Sequence, residues 1–441
     1  MRRPTILGIV VCTAFLTMLD NTVVTVAAPS IARDLHTPLP VLEWVATAYM
    51  LTFAGLLLAG GRLADRHGHR RVLMVGLALF TVASLAAGLA QDVGVLIAAR
   101  AVQGTGAALL VPATLAVIAG GDERDRMRGA AVWTASGAVA LAAGPVLGGA
   151  LSQHAHWSWI FLLNVPVGLA ALAVVRWGLP DRAQPGCDSL DLGGLVTSTL
   201  ALLAAMYALS LDARAWVLAV GFALAFLHIE RRVPAPMVDL ELFRDRAVAG
   251  GIGVQALWGL GVNSVYFFTS IYLQDVRGYS PTGAGLALLP TAVTLAVGAG
   301  FAPGLVRRWG AARAVAGGLV LVAVGIAGVA FTASAGAFLV AAGVIGFGSA
   351  LTVPLGAVVL GAAPPARAGV AGGMFAVARE ASGVLGIAGV GVIVVGGGYT
   401  VGLAAAAVVV LGGALVSLCT LPGRAAMATR VGVSRPDPVT T

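Results

Sequence analysis

The chain has no lysine: all 27 of its Lys-plus-Arg positions are arginine. A phosphate-binding P-loop needs its lysine on the nucleotide phosphates, and Schiff-base chemistry needs a primary amine. Neither can be supplied by this chain alone. Cysteine is scarce too. Cys12, Cys187 and Cys419 stand far apart and give neither a disulfide framework nor metal-ligand spacing. Charged residues make up only 10% of the 441 positions, against roughly a quarter in soluble domains. A water-soluble fold of this length could not cover its surface. The longest polar segments, 230–246 and the tail after Gly423, are too short to form a domain.

What is there in excess is apolar. Hydrophobic residues account for 59% of the chain, and runs of about 20 residues suffice to cross roughly 30 Å of hydrocarbon as helix. Such runs fall near 6–29, 42–62, 71–90, 94–118, 129–151, 158–179, 190–210, 214–229, 249–273, 282–304, 312–332, 334–360, 369–395 and 399–421. The expectation is an all-α integral membrane protein with 14 spans. With both termini on the cytoplasmic side, the outer loops hold only Arg33, Arg214 and Arg277. Arg100 and Arg379 fall inside spans, and the other arginines lie at the cytoplasmic edge. That is the positive-inside pattern, and it accounts for the net charge of +8 without nucleic acid as a partner. Asp20 inside the first run, and the spans that follow it, favour a retained helix over a signal peptide. The Ala/Gly/Val/Arg bias is that of a GC-rich, bacterial coding sequence.

One short polar stretch organises the rest: Gly61-Arg62-Leu63-Ala64-Asp65-Arg66-His67-Gly68-His69-Arg70-Arg71, between two apolar runs. Gly61 and Gly68 are expected to permit a tight reversal. Part of it returns half a chain later as Leu305-Val306-Arg307-Arg308-Trp309-Gly310, which suggests two like halves facing each other across a pathway. In the first span Thr13, Thr17 and Asp20 or Asn21 recur at helical spacing, a polar stripe expected to line a cavity. The fourth span contains Arg100-Ala101-Val102-Gln103-Gly104. Its guanidinium cannot shed its charge and needs partners or water. Asp20 and Arg100 count to similar depths. The fifth span carries Gly137, then Gly144-Pro145 and Gly148-Gly149, small residues for close helix approach beside a bend-permitting proline. Gln255, Trp258 and Tyr266 share a face of the ninth span, suited to an amphiphilic, partly aromatic substrate or to plain packing. Arg379-Glu380 lies deep in the thirteenth span, where neighbours in sequence point about 100° apart and need not pair. His154 and His156 lack a third ligand, so no metal site is expected.

These motifs resemble those of the major facilitator superfamily, specifically its fourteen-helix drug:proton antiporter branch. The likeness rests on the G-x-L-A-D-R-x-G-x-R-R loop, the Asp20 stretch ending at Pro29, R-x-x-Q-G at Arg100, and G-x(6)-G-P-x-x-G-G in the fifth span. The resemblance implies a fold of two six-helix halves, residues 1–180 and 247–422. Two additional helices and a linker would occupy 181–246, and a cytoplasmic tail 423–441. It implies a non-enzymatic, proton-coupled exporter of small amphiphilic drugs or natural products, working by alternating access as a monomer in the bacterial inner membrane. No cofactor is implied beyond the coupling proton. Asp20, Arg100 and Glu380 would handle proton coupling. Gly61, Asp65, Arg66, Gly68, Arg71, Gly144, Pro145, Gly148 and Gly149 would serve gating. Asn21, Gln103, Trp258, Tyr266 and Arg379 would line the substrate cavity. An importer or uniporter of the same fold, a membrane-embedded enzyme and a non-transporting sensor are the rival readings. The glycine-proline element, which the superfamily shows preferentially in exporters, argues against the first.

Overall fold

A computed structural model describes residues 3–120, 122–179, 191–233, 236, 238–364 and 367–423. Cys187 and the expected tail from 424 onward lie outside them. Fourteen helices are long and apolar enough to cross a membrane. They are α1 (Leu7–Asp34), α2 (Leu39–His67), α3 (His69–Gly88), α4 (Val93–Ala119), α5 (Glu123–His154), α6 (Trp159–Gly178), α7 (Leu192–Ser210), α8 (Ala213–Glu230), α9 (Arg246–Val276), α10 (Pro281–Trp309), α11 (Ala311–Phe331), α12 (Ala335–Ala362), α13 (Ala368–Gly397) and α14 (Tyr399–Thr420). A helix satisfies its own backbone hydrogen bonds, which hydrocarbon cannot do. The ends are closed by short polar side chains. Asp92 accepts from the amides of Gly94 and Val95 at the head of α4, and Asp245 from those of Ala247 and Val248 at the head of α9.

The charged stretch is tighter than its sequence suggests. Gly61, Asp65 and Arg66 are helical residues of α2, and the chain reverses at Gly68 alone, where φ is 89°. A side chain there would be strained. Gly61 is not part of the turn, because helical hydrogen bonding continues to His67. Gly310 repeats the device between α10 and α11 at φ 82°.

The repeat extends far beyond this turn. Gly76 of α3 meets Gly106 of α4, and Gly318 of α11 meets Gly348 of α12 in the same way. Gly104 lies against the Tyr49 carbonyl, and Gly346 against the Thr291 carbonyl. One constant shift along the chain relates all these positions, and also Gly68 to Gly310. The pairings agree: α1 packs on α5 as α9 does on α13, and α3 on α6 as α11 does on α14. Across the repeats, α5 meets α10 and α13 meets α2, the two arms of one pseudo-twofold arrangement. Close glycine contacts of this kind let helices approach where lipid offers no hydrophobic drive.

The two spans outside the repeat, α7 and α8, pair with each other, and α7 also packs against both α2 and α13. The Thr199 side chain fills the notch at Gly55, and Leu385 packs on Ala204 and Ala205. Thus α7 lies along one of the seams between the repeats, while α8 is mostly exposed.

Candidate transport site

The first span's threonines do not line a cavity. Thr13 and Thr17 are buried and bond back to their own helix, and the Thr13 hydroxyl accepts from Thr114 of α4. Next along the same face comes Asp20, fully buried. Its Oδ2 receives Nη1 of Arg100, which is also fully buried. Its Oδ1 accepts from Nδ2 of Asn164 at 2.9 Å and from Nε2 of Gln103 at 3.2 Å. Gln103 Nε2 donates further to the Ser84 hydroxyl at 2.7 Å, and its Oε1 accepts from Arg100 at 2.9 Å. Arg100 Nε is anchored on the Val45 carbonyl at 3.0 Å, and its guanidinium stacks 4.5 Å from the Tyr49 ring centre.

Five helices thus converge on one sealed ion pair. Gln103, expected to line the cavity, belongs to this cluster, because its amide bonds both charges at once. Asn164 and Tyr49 were not singled out from sequence. The signal for Asn164 is its place just inside the sixth span, where an amide needs a partner. A buried pair of this kind stabilises little over an apolar replacement, but removing one member costs about 3–5 kcal/mol. The repeat does not reproduce it: Asp20 and Arg100 correspond to Val262 and Ala342. The charge machinery sits on one side.

On the other side Glu380 of α13 is buried, and it pairs with its own neighbour. Arg379 Nε and Nη2 both reach Glu380 Oε1, at 2.9 and 2.8 Å. The long guanidinium side chain bends back over the helix and overcomes the angular offset expected to keep them apart. Arg379 remains 40% exposed at mid-span. A guanidinium so placed must face water or polar groups rather than lipid. Trp258 donates to Ser349 of α12 at 3.4 Å, and partly buried Tyr266 lies among Leu288, Thr291, Phe338 and Ile345. Both therefore knit α9 to α10 and α12. Asn21 is partly buried on α1 beside the network and makes no side-chain hydrogen bond. An apolar groove of about 540 Å³ lies between α10, α11 and α12 around Phe347 and Leu321, with no charged residue in its lining.

The gating residues divide. Asp65 and Arg66 are exposed, and Asp65 has no side-chain partner among the described residues. Arg71 is exposed as well. Other residues at this end make contacts across to the linker and α13. Arg62 donates to the Pro236 carbonyl at 2.8 Å, and Arg367 bridges Asp239 and Glu241 at 3.0 and 2.8 Å. In the fifth span Gly144, Gly148 and Gly149, by contrast, lie at close approaches. A Cβ on Gly144 would strike Thr22, one on Gly148 the Val23 carbonyl, and one on Gly149 the Pro281 carbonyl. Gly285 abuts the Pro145 carbonyl in return. At the same end, opposite the chain termini, Gln274 donates to the Val26 carbonyl at 2.9 Å, and Gln153 accepts from the Thr282 amide at 3.1 Å. His156 contacts Asp34 at 3.3 Å, and no group of three or more metal-ligating side chains exists among the described residues.

The family model of the Major Facilitator Superfamily matches residues 10–387. The chain belongs to this superfamily. A tetracenomycin C resistance and export protein of Streptomyces glaucescens is 33% identical over 407 residues, covering 88% of this chain and 75% of the relative. The cephamycin export protein CmcT of Amycolatopsis lactamdurans is 37% identical over 402 residues, covering 86% and 83%. Among solved structures, a peptide transporter POT in complex with sulfate superposes with a TM-score of 0.70 at 15% identity, over 97% of this chain and 95% of that one. At that identity the likeness is one of fold. This superfamily member is a multi-pass transporter of the drug-efflux branch, not an enzyme.

Proposed function

We propose that this superfamily member exports small amphiphilic drugs or natural products in exchange for protons, by alternating access. The observation that carries the reading is the sealed Asp20–Arg100–Gln103–Asn164 cluster, which buries a titratable acid at mid-membrane in the first repeat. A carrier needs a group whose charge changes within the cycle, and arginine cannot be that group. Asp20 then carries the proton, with Arg100 as its fixed counter-charge. Glu380 is the second candidate, paired with Arg379 opposite. Substrate is held between α1 and the α9–α13 wall, by Asn21 and the exposed face of Arg379. The relatives' names as antibiotic export proteins support the direction, and the arginine distribution supports termini in the cytoplasm.

The test uses everted membrane vesicles from an efflux-deficient bacterial host expressing the chain. An imposed inward-acid gradient is expected to drive substrate accumulation, with proton release on substrate addition to purified protein. Accumulation that ignores the gradient would leave uniport as the mechanism. Uptake into right-side-out cells would reverse the direction.

A further inference from the structure

The constant shift that relates the repeats also relates the two seams between them. One seam joins α10 to α5, with Gly285 on the Pro145 carbonyl and Gly149 on the Pro281 carbonyl. The other joins α2 to α13. In it the counterpart of Gly149 is Gly391, and the counterpart of Gly285, the fifth residue of its helix, is Glu43. Where one seam closes glycine on backbone, the other closes glycine on a carboxyl group. Glu43 is only 2% exposed. A Cβ on Gly391 would overlap the Glu43 carboxyl, its Oε1 first and its Oε2 at 2.9 Å. The glycine is the space the carboxyl occupies.

No ion pair or side-chain hydrogen bond reaches this carboxyl among the described residues. The helices packed on α2 offer few charges. On α4, Arg100 is committed to Asp20, Gln103 and the Val45 carbonyl. On α13, Arg379 and Glu380 hold each other three turns deeper. The α7 helix carries only Tyr207, and the charged residues of α3 lie at the opposite end of α2. On α1, Asp20 is in the buried cluster, Arg33 faces Asp275, and Asp34 accepts from Trp157. A carboxylate with so little access to water and no protein donor is disfavoured against the neutral carboxylic acid in the same place. Opening the seam returns the group to water, about one and a half turns in from the rim.

We propose that Glu43 is a proton-binding site of the α2–α13 seam, occupied when the seam is closed and emptied when it opens. Closure at this end then takes up one proton at Glu43, and acid on that side of the membrane drives the cleft shut there. By linkage, one proton changes the closed-to-open ratio by up to about tenfold per pH unit.

The test reads closure of the cleft at the end where this seam lies, so its outcome does not depend on the direction or coupling of transport. Spin labels replace the exposed loop residues Gln91 and Ala333 in protein whose three cysteines are changed to serine, in lipid nanodiscs. In the parent protein the short-distance population is expected to grow on acidification, over some part of the range from about pH 9 to about pH 5. Glu43→Gln, a neutral isostere, is expected to hold that population high at every pH. Gly391→Ala is expected to reduce it at every pH, and Glu43→Ala in the same chain to restore it without pH dependence. A Glu43→Gln protein that titrates as the parent does, or a parent population that ignores pH, would overturn the assignment.

Discussion

At the scale of single residues, the buried ion pair separates a structural role from a transport role. Asp20→Asn leaves Arg100 sealed without its counter-charge, a loss of about 3–5 kcal/mol. Its thermal transition in detergent is expected to fall, and gradient-driven efflux to vanish. Adding Arg100→Gln removes the stranded charge. The double variant is expected to recover most of the transition temperature while efflux stays absent. Efflux returning with stability would make the pair a packing element only. Sequence led to Asp20 and Arg100 because ionisable side chains inside apolar runs are conspicuous. It gave Asn164 and Tyr49 no role, since an amide just inside one span and a tyrosine within another have many ordinary uses. It missed Glu43 because the residue stands in the first turns of α2, where a carboxylate in water is unremarkable. Only the packing of α13 shows that it is buried. Asp20 and Glu380 are therefore not the sole buried acids of the spans.

At the scale of helices, glycine content alone does not say which glycines matter. There are 60 of them, and the close approaches select a few. Gly60 lies on the Ala108 carbonyl, whereas a Cβ on Gly61 would reach only Pro112, at an ordinary 3.7 Å. Gly61→Ala is accordingly expected to leave efflux within about twofold and to raise stability slightly, since alanine is the better helix former by about 1 kcal/mol. Gly60→Ala must move α4, and is expected to lower the thermal transition of the purified protein. A similar contrast holds in α5, where Gly137 has Met18 no nearer than 3.8 Å but Gly149 meets the Pro281 carbonyl. The linker after α8 makes a further prediction. Arg367, by hydrogen bond and charge, holds the Glu241 carboxyl below the usual carboxylate range. The bridge is thus fully formed above the usual value of about 4.3 and is lost as pH falls through the lowered one. Hydrogen exchange across residues 239–245 is expected to quicken in that acidic window. In Arg367→Ala it should be quick already at neutral pH. Exchange indifferent to both changes would mean that the linker is held by its apolar contacts alone.

At the scale of the whole molecule, the span count and the repeat were readable because hydrocarbon imposes length and composition, and because the Gly68 turn recurs at Gly310. The direction in which the cleft is closed was not readable, since it depends on which helix ends touch. In this structure contacts between the repeats gather at the end opposite the termini: Gln274 on the Val26 carbonyl, Gln153 on the Thr282 amide, Gly149 and Gly285 across the α5–α10 seam. Release of substrate at that end requires these contacts to part together, because each spans the same division. A covalent tie across the division should therefore stop transport without harming the fold. In a chain with Cys12, Cys187 and Cys419 changed to serine, Gln153→Cys with Thr282→Cys places two thiols where the side chain of one residue already meets the amide of the other. A short bifunctional thiol reagent is expected to abolish efflux in vesicles, while substrate binding to the purified protein persists. A reagent cleaved by reductant should give efflux back. Transport that continues through the tie would mean that this end does not open during the cycle, and the alternating-access reading would fall with it.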